Sequence, residues 1–222
     1  MAASSLVPHA LATRGPLIAI GGAEDRTSDL AVLNQVFSRA PAGNAEVAVI
    51  ATASSIPGQI LPIYQAAFER LGASQVHTLA MEGRRQAADG EIVRLIERSG
   101  VIFFTGGDQL RLTHVMGGSP ALKAIRARLR AGAVVAGTSA GAAALPSTMI
   151  YNSTAEDALR KGAVKMAAGF GLVDGVIIDT HFLERGRFSR LMEVGATNPD
   201  KERPPCPSIQ PPAAPRGARA HP

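Results

Sequence analysis

Six short, β-prone and largely apolar runs punctuate this chain at intervals, with helix-patterned segments between them, and that alternation constrains the fold most. The runs are Leu17–Ile20, Val47–Ile50, Val76–Leu79, Val101–Phe104, Ala133–Ala136 and Val176–Ile178. Helical patterning falls at 28–39, 58–71, 89–98, 120–131 and 185–196. The second of these is amphipathic, with Ile60, Ile63, Tyr64, Ala67, Phe68 and Leu71 at helical spacing. The fourth opens on Ser119-Pro120, a cap followed by a first-turn proline, and stops at Gly132. Strands apolar along their length are buried on both faces. The sequence therefore predicts an α/β fold, a doubly wound and mostly parallel sheet with helices on both faces. In such sheets ligands gather beyond the carboxyl ends of the strands, so the residues following each strand carry the functional question.

Composition narrows the classes. At 222 residues the chain suits one sizeable core rather than two ordinary domains. A hydrophobic fraction of 46% against 18% charged residues marks a folding chain rather than a disordered one. No apolar run reaches the roughly 18–20 residues of a membrane-spanning helix, so no membrane role is expected. Twenty-three glycines against two tyrosines and no tryptophan favour tight backbone turns over base-stacking surfaces. The single cysteine, Cys206, excludes an intrachain disulfide framework and multi-cysteine metal sites. Of the net charge of +5, residues 201–222 supply +3, which leaves the body short of a nucleic-acid footprint.

Residues 1–14 contain no acid and no continuous apolar segment of signal-peptide length, and are expected to be a disordered arm. A cytoplasmic location follows by default. Residues 15–200 form the expected α/β domain. Beyond Asp200, seven of 22 residues are proline and none is aromatic, so 201–222 are expected to be a disordered tail.

The strongest motif is Gly137-Thr138-Ser139-Ala140-Gly141, which follows a strand and precedes a small-residue helix. This is G-x-S-x-G in the strand–turn–helix setting that its chemistry needs. The turn is strained, neighbouring side chains would clash there, and the following amide, of Ala140, faces the reacting atom as half of an oxyanion hole. Ser139 is thus the candidate nucleophile, and it needs a base. His9 and His221 lie in the terminal segments, His77 sits inside a strand and His114 near a helix end. His181, in the loop Asp179-Thr180-His181-Phe182 after the sixth run, is the candidate base.

Two more loops follow strands. In Thr105-Gly106-Gly107-Asp108-Gln109, the glycines allow close backbone approach, so Gly107 can supply the second oxyanion donor and Gln109 can bond substrate. Taken alone it would be a turn capped by Asp108. Gly21-Gly22-Ala23-Glu24-Asp25 lacks both the dinucleotide glycine spacing and a P-loop lysine, and the role of Glu24 stays open. Arg185, Arg187 and Arg190 follow the candidate base. Guanidinium forks suit carboxylates, although a solvated basic face would have the same pattern.

Taken together and in order, GGAED, FTGGDQLRL, AGTSAGAAALP and IDTHFLERGRFSRL resemble the cyanophycinase family. Its relatives are the dipeptidase E-type serine peptidases, on a class I glutamine amidotransferase-like α/β fold. The resemblance spans residues 15 to about 200. It implies Ser139 as nucleophile, His181 as base, an oxyanion hole at Gly107 and Ala140, and a substrate site lined by Gln109, Asp179, Arg185, Arg187 and Arg190. It implies cyanophycin, an arginine-branched poly-aspartate, as substrate, β-Asp-Arg dipeptide as product, no cofactor or metal, and a homodimer. Asp179 would meet the substrate's guanidinium and the arginines its free α-carboxylates.

The sequence departs from the family after Asn198-Pro199-Asp200. There the family continues with a strand and the glutamate that orients the histidine, whereas KERPPCPSIQPPAAPRGARAHP matches nothing in that region. The C-terminal part of the family domain is therefore expected to be missing. The third triad member is unassigned, with Glu156, Glu184 and Glu193 as weak substitutes. Two other readings stay open: a catalytically impaired relative that only binds substrate, and a peptidase acting on small aspartyl dipeptides.

Overall fold

The computed structural model describes residues 15–152, 164–181, 188–197 and 205–206, and for 188–190, 197 and 205–206 it describes the backbone alone. The chain runs β1 (Leu17–Ile20), α1 (Ala31–Phe37), β2 (Glu46–Ile50), α2 (Pro57–Arg70), β3 (Gln75–Leu79), α3 (Gly90–Arg98), β4 (Val101–Phe104), α4 (Gln109–Met116), α5 (Pro120–Arg130), β5 (Val134–Thr138) and α6 (Ala140–Ala143). The five strands form one sheet in the order β1-β5-β4-β2-β3, and every pairing is parallel.

Side chains alternate between two apolar layers, as the pleat requires. Val47 and Val49, Val101 and Phe103, and Val134 and Ala136 face α1 and α2, where Leu33, Val36, Tyr64, Ala67 and Phe68 complete the packing. Ala48, Ile50, Ile102, Phe104 and Val135 point the other way, onto Ile96 of α3, Leu112 and Met116 of α4 and Ile125 and Leu129 of α5. Continuous apolar strands are thus the mark of a sheet covered twice, and the α/β expectation holds.

Later elements are shorter. β6 (Thr148–Asn152) and β7 (Lys165–Ala168) form an antiparallel pair that the sequence reading did not anticipate. β8 (Asp179–Thr180) pairs in parallel with β9 (Pro205–Cys206), which lies within the stretch read from sequence as a tail. α7 spans Phe188–Thr197. In the run Val176–Ile178, expected as a strand, half-buried Val176 makes a single bridge, and buried Ile177 and Ile178 lead into β8. Ile177 is held by side-chain packing against Ile150 and Val194, so its apolar character reports burial rather than ladder pairing.

The first helix also starts later than its pattern. The Asp25 carboxylate accepts from the amides of Thr27, Ser28, Asp29 and Leu30, which winds this stretch into a turn. Leu30 then sits at φ 55, and the helix opens after it. A short aspartate capturing nearby amides competes with helix for the same donors.

Candidate active site

The carboxyl ends of β1, β5 and β4, three neighbours in the sheet, converge on one point. β5 ends in Thr138, and Ser139 follows at φ 51, ψ −115, a conformation that L-residues adopt only under constraint. The constraint is visible. The Ser139 amide donates to Ile20 O at 3.0 Å, and the Ala143 amide closes the first turn of α6 onto Ser139 O at 2.9 Å. A Cβ at Gly137 would fall 2.5 Å from the Gly141 carbonyl, and one at Gly141 would fall 2.5 Å from Phe104 O. Both motif glycines are therefore required by close backbone approach.

His181 comes to the same point from β8. Its amide donates to Gly21 O at 3.1 Å, and it too has positive φ, 51°. Its Nε2 lies 2.8 Å from Ser139 Oγ. Successive carbonyls at the end of β1, those of Ile20 and Gly21, thus anchor the amides of the two residues that form this pair. The imidazole lies over Gly22, at φ 115, where a Cβ would intrude on the ring.

From β4 comes the third loop. A Cβ at Gly106 would be 3.3 Å from Ser139 Cβ, so this turn abuts the serine. Gly107, at φ 140, packs on the Ala53 backbone, where a side chain would collide with the carbonyl oxygen. The Asp108 carboxylate caps α4, accepting from Leu110 N at 2.8 Å and Arg111 N at 3.2 Å. Gln109 Nε2 donates to Ile150 O at 3.0 Å and is 3.4 Å from Tyr151 O, so its amide ties α4 to β6.

The remaining sequence-derived residues are placed as follows. Ser139, His181, Ala140 and the Gly106-Gly107 turn meet. Asp179, two residues before His181, is 1% exposed and sits beneath the surface rather than on it. Arg190 lies in α7, with its side chain outside the description, and Glu193 lies one turn further along. Arg185, Arg187, Glu156 and Glu184 fall outside the described residues, as do residues 1–14 and most of 201–222. His77, in β3, bonds Glu46 Oε2 at 2.9 Å, and His114 is exposed on α4. Among the described residues no three His, Cys, Asp or Glu side chains gather as a metal site, and no helix is long and apolar enough to cross a membrane.

One set of residues escaped the sequence reading. Glu24 is 4% exposed, with Oε1 accepting from the Tyr64 hydroxyl and Oε2 from the Thr138 hydroxyl. These partners lie 40 and 114 positions away along the chain, and no local spacing announces them.

Known proteins resemble this chain in sequence and in fold. Cyanophycinase from Nostoc sp. (strain PCC 7120 / SAG 25.82 / UTEX 2576) is 38% identical over 191 residues, covering 86% of this chain and 64% of the relative. Cyanophycinase from Geminocystis herdmanii (strain PCC 6308) is 34% identical over 189 residues, 85% of this chain and 70% of the relative. The chain thus spans about two thirds of the length of these curated relatives. In fold it is similar to a peptidase from an acI-B1 Actinobacterium, with a TM-score of 0.69 at 22% identity over 82% of this chain and 75% of that one. The sequence profile described as peptidase family S51 matches residues 17–204, and the chain belongs to that family.

Proposed function

We propose that this chain is a serine-type exopeptidase that hydrolyses cyanophycin to β-Asp-Arg dipeptides through an acyl-enzyme on Ser139. The observation that carries the reading is the 2.8 Å approach of His181 Nε2 to Ser139 Oγ, with the serine held at φ 51 on a G-x-S-x-G turn. At that distance Nε2 can accept the hydroxyl proton as Oγ attacks the scissile carbonyl. The proton then passes to the nitrogen of the leaving chain. Water, deprotonated by the same imidazole, cleaves the acyl-enzyme and restores the serine. The amides of Ala140 and Gly107 are the proposed donors to the oxyanion.

Substrate identity rests on likeness to the cyanophycinases. Each unit of the polymer carries a free arginine α-carboxylate, and Arg185, Arg187 and Arg190 follow the base in sequence with the charge and fork geometry to hold it. Gln109, whose Nε2 serves β6, is the proposed hydrogen-bond partner of substrate through its Oε1. A homodimer belongs to the same proposal through the family resemblance, and a cytoplasmic location is proposed with it.

The test is release of β-Asp-Arg from purified cyanophycin by the chain and by Ser139→Ala. Release that disappears in the variant supports the reading. Equal release from both removes Ser139 as nucleophile. No release from folded wild-type protein favours an impaired relative, and hydrolysis of a free β-aspartyl dipeptide alone favours the dipeptidase alternative.

A further inference from the structure

We infer that Glu24 is a positioning residue for the nucleophile and base, acting through the Thr138 hydroxyl to hold the loop that seats His181 in register with the turn that presents Ser139. The inference rests on the proposed roles of Ser139 and His181, and its geometry is independent of the substrate.

Two backbone segments set the distance between serine and histidine. Ser139 leaves the end of β5, while His181 is held by Gly21 O and lies over Gly22. The β1–β5 ladder keeps these segments aligned as far as Ile20 and Thr138, its last pair. Beyond it the chain passes through Gly22 and Ala23, both at positive φ. Glu24 then turns back, and its carboxylate accepts from Thr138, the residue immediately before the nucleophile. The contact closes a bracket around Gly21-Gly22-Ala23 at the point where the ladder has run out.

The bracket is rooted in the core. Tyr64 of α2 donates to the other carboxylate oxygen, is 2% exposed and packs against Phe103 at 5.0 Å between ring centroids. Burial, with the neighbouring Glu24 charge second, pushes the Tyr64 phenol far above its ordinary range, so it stays a donor. Arg26 lies over the Tyr64 ring, 5.6 Å from its centroid. A carboxylate at this depth needs hydrogen bonds to both oxygens, and two hydroxyls from two different elements supply them. Thr138, 3% exposed at the end of β5, would be matched in shape by valine.

The test compares Glu24→Ala, Thr138→Val and Thr138→Ser for the rate at which a fluorophosphonate probe labels Ser139, with ¹⁵N-histidine NMR of the His181 ring and thermal melting in parallel. A misplacement on the order of 1 Å can cost about 100-fold in reactivity. The expected result is labelling slowed by about tenfold or more in Glu24→Ala and Thr138→Val, an altered His181 signal, and near-wild-type behaviour in Thr138→Ser. The Glu24→Ala/Thr138→Val double variant is expected to be no slower than the worse single one.

Labelling and His181 signals unchanged in folded Thr138→Val and Glu24→Ala would overturn the inference. So would slowing matched by Thr138→Ser, or additive losses in the double variant. Should Glu24→Ala not fold, the contrast between Thr138→Val and Thr138→Ser decides alone. Wild-type protein that resists the probe would count against the nucleophile, while the His181 signal would still decide whether Glu24 sets the ring's place.

Discussion

A Cβ on Gly22 would lie 2.6 Å from Nε2 of His181, so the ring occupies its place only because residue 22 has no side chain. Gly22→Ala therefore acts on the base from outside the set of reacting groups. The methyl must displace the ring from its place beside Ser139, and φ 115 adds backbone strain. We expect hydrolysis to fall by about 100-fold, the scale of a displacement of about 1 Å, in protein that still folds. Turnover within twofold of wild type would mean that the ring is not held against this glycine.

Ser139 stores strain that its own removal should release. A non-glycine residue at φ 51, ψ −115 costs about 1–3 kcal/mol, and glycine gives back about 0.5–1 kcal/mol of that through the unfolded chain. Ser139→Gly should therefore abolish activity yet gain about 1 kcal/mol, a rise of about 2–4 °C in Tm. Ser139→Ala should be equally inactive without that gain. Melting the two variants beside wild type checks both statements, and equal Tm values would mean that the turn is relaxed.

What the sequence disclosed and what it hid divide along a physical line. The sheet was legible because buried parallel strands need apolar residues on both faces, and Val101–Phe104 displays this in four letters. The serine turn was legible because close backbone approach forces Gly137 and Gly141. The position of His181 beside Ser139 was legible from its place after a strand-like run, although in that run Val176 makes a single bridge and buried Ile177 and Ile178 lie outside any strand. Asp108, by contrast, bears out the bland alternative of a helix cap. Side-chain contacts between positions far apart in the chain left no trace: Glu24 meets Thr138 across 114 positions, and Gln109 meets the Ile150 carbonyl across 41. Periodicity and spacing report local geometry, and these contacts depend on topology.

Acid should weaken the edge of the sheet through Glu46. Its carboxylate bonds His77 Nε2 at 2.9 Å and Arg98 Nη2 at 3.1 Å. The His77 hydrogen bond chiefly holds its pKa below the ordinary 4.5; partial burial opposes this and Arg98 adds to it. Because the folded-state value is the lower one, the contribution is complete above the unfolded value and is lost as pH falls through the folded value. The side chain is 23% exposed, so the pair is worth about 0.5–1 kcal/mol. Glu46→Gln should be less stable than wild type by that amount at pH 7, and the two should converge on acidification below 4.5. Urea midpoints at both pH values measure this, and a gap that persists in acid would exclude the charge as its source.

Gln109 gives a prediction in which the closer isostere does more harm. Its Nε2 faces two carbonyl oxygens, those of Ile150 and Tyr151, at 3.0 and 3.4 Å, which fixes the orientation of the amide. Gln109→Glu keeps the shape but sets a carboxylate oxygen against both carbonyls in a partly buried place. Gln109→Met loses the hydrogen bond without adding repulsion. Loss of a neutral hydrogen bond costs about 1 kcal/mol, whereas stranding a charged group against acceptors costs about 1–3 kcal/mol or more. The urea midpoint should therefore drop further for the glutamate variant than for the methionine one. Activity should follow the same order, because the tie joins β6 to the helix that begins two residues after Gly107. If the order of stabilities were reversed, the amide would not be the link between α4 and β6.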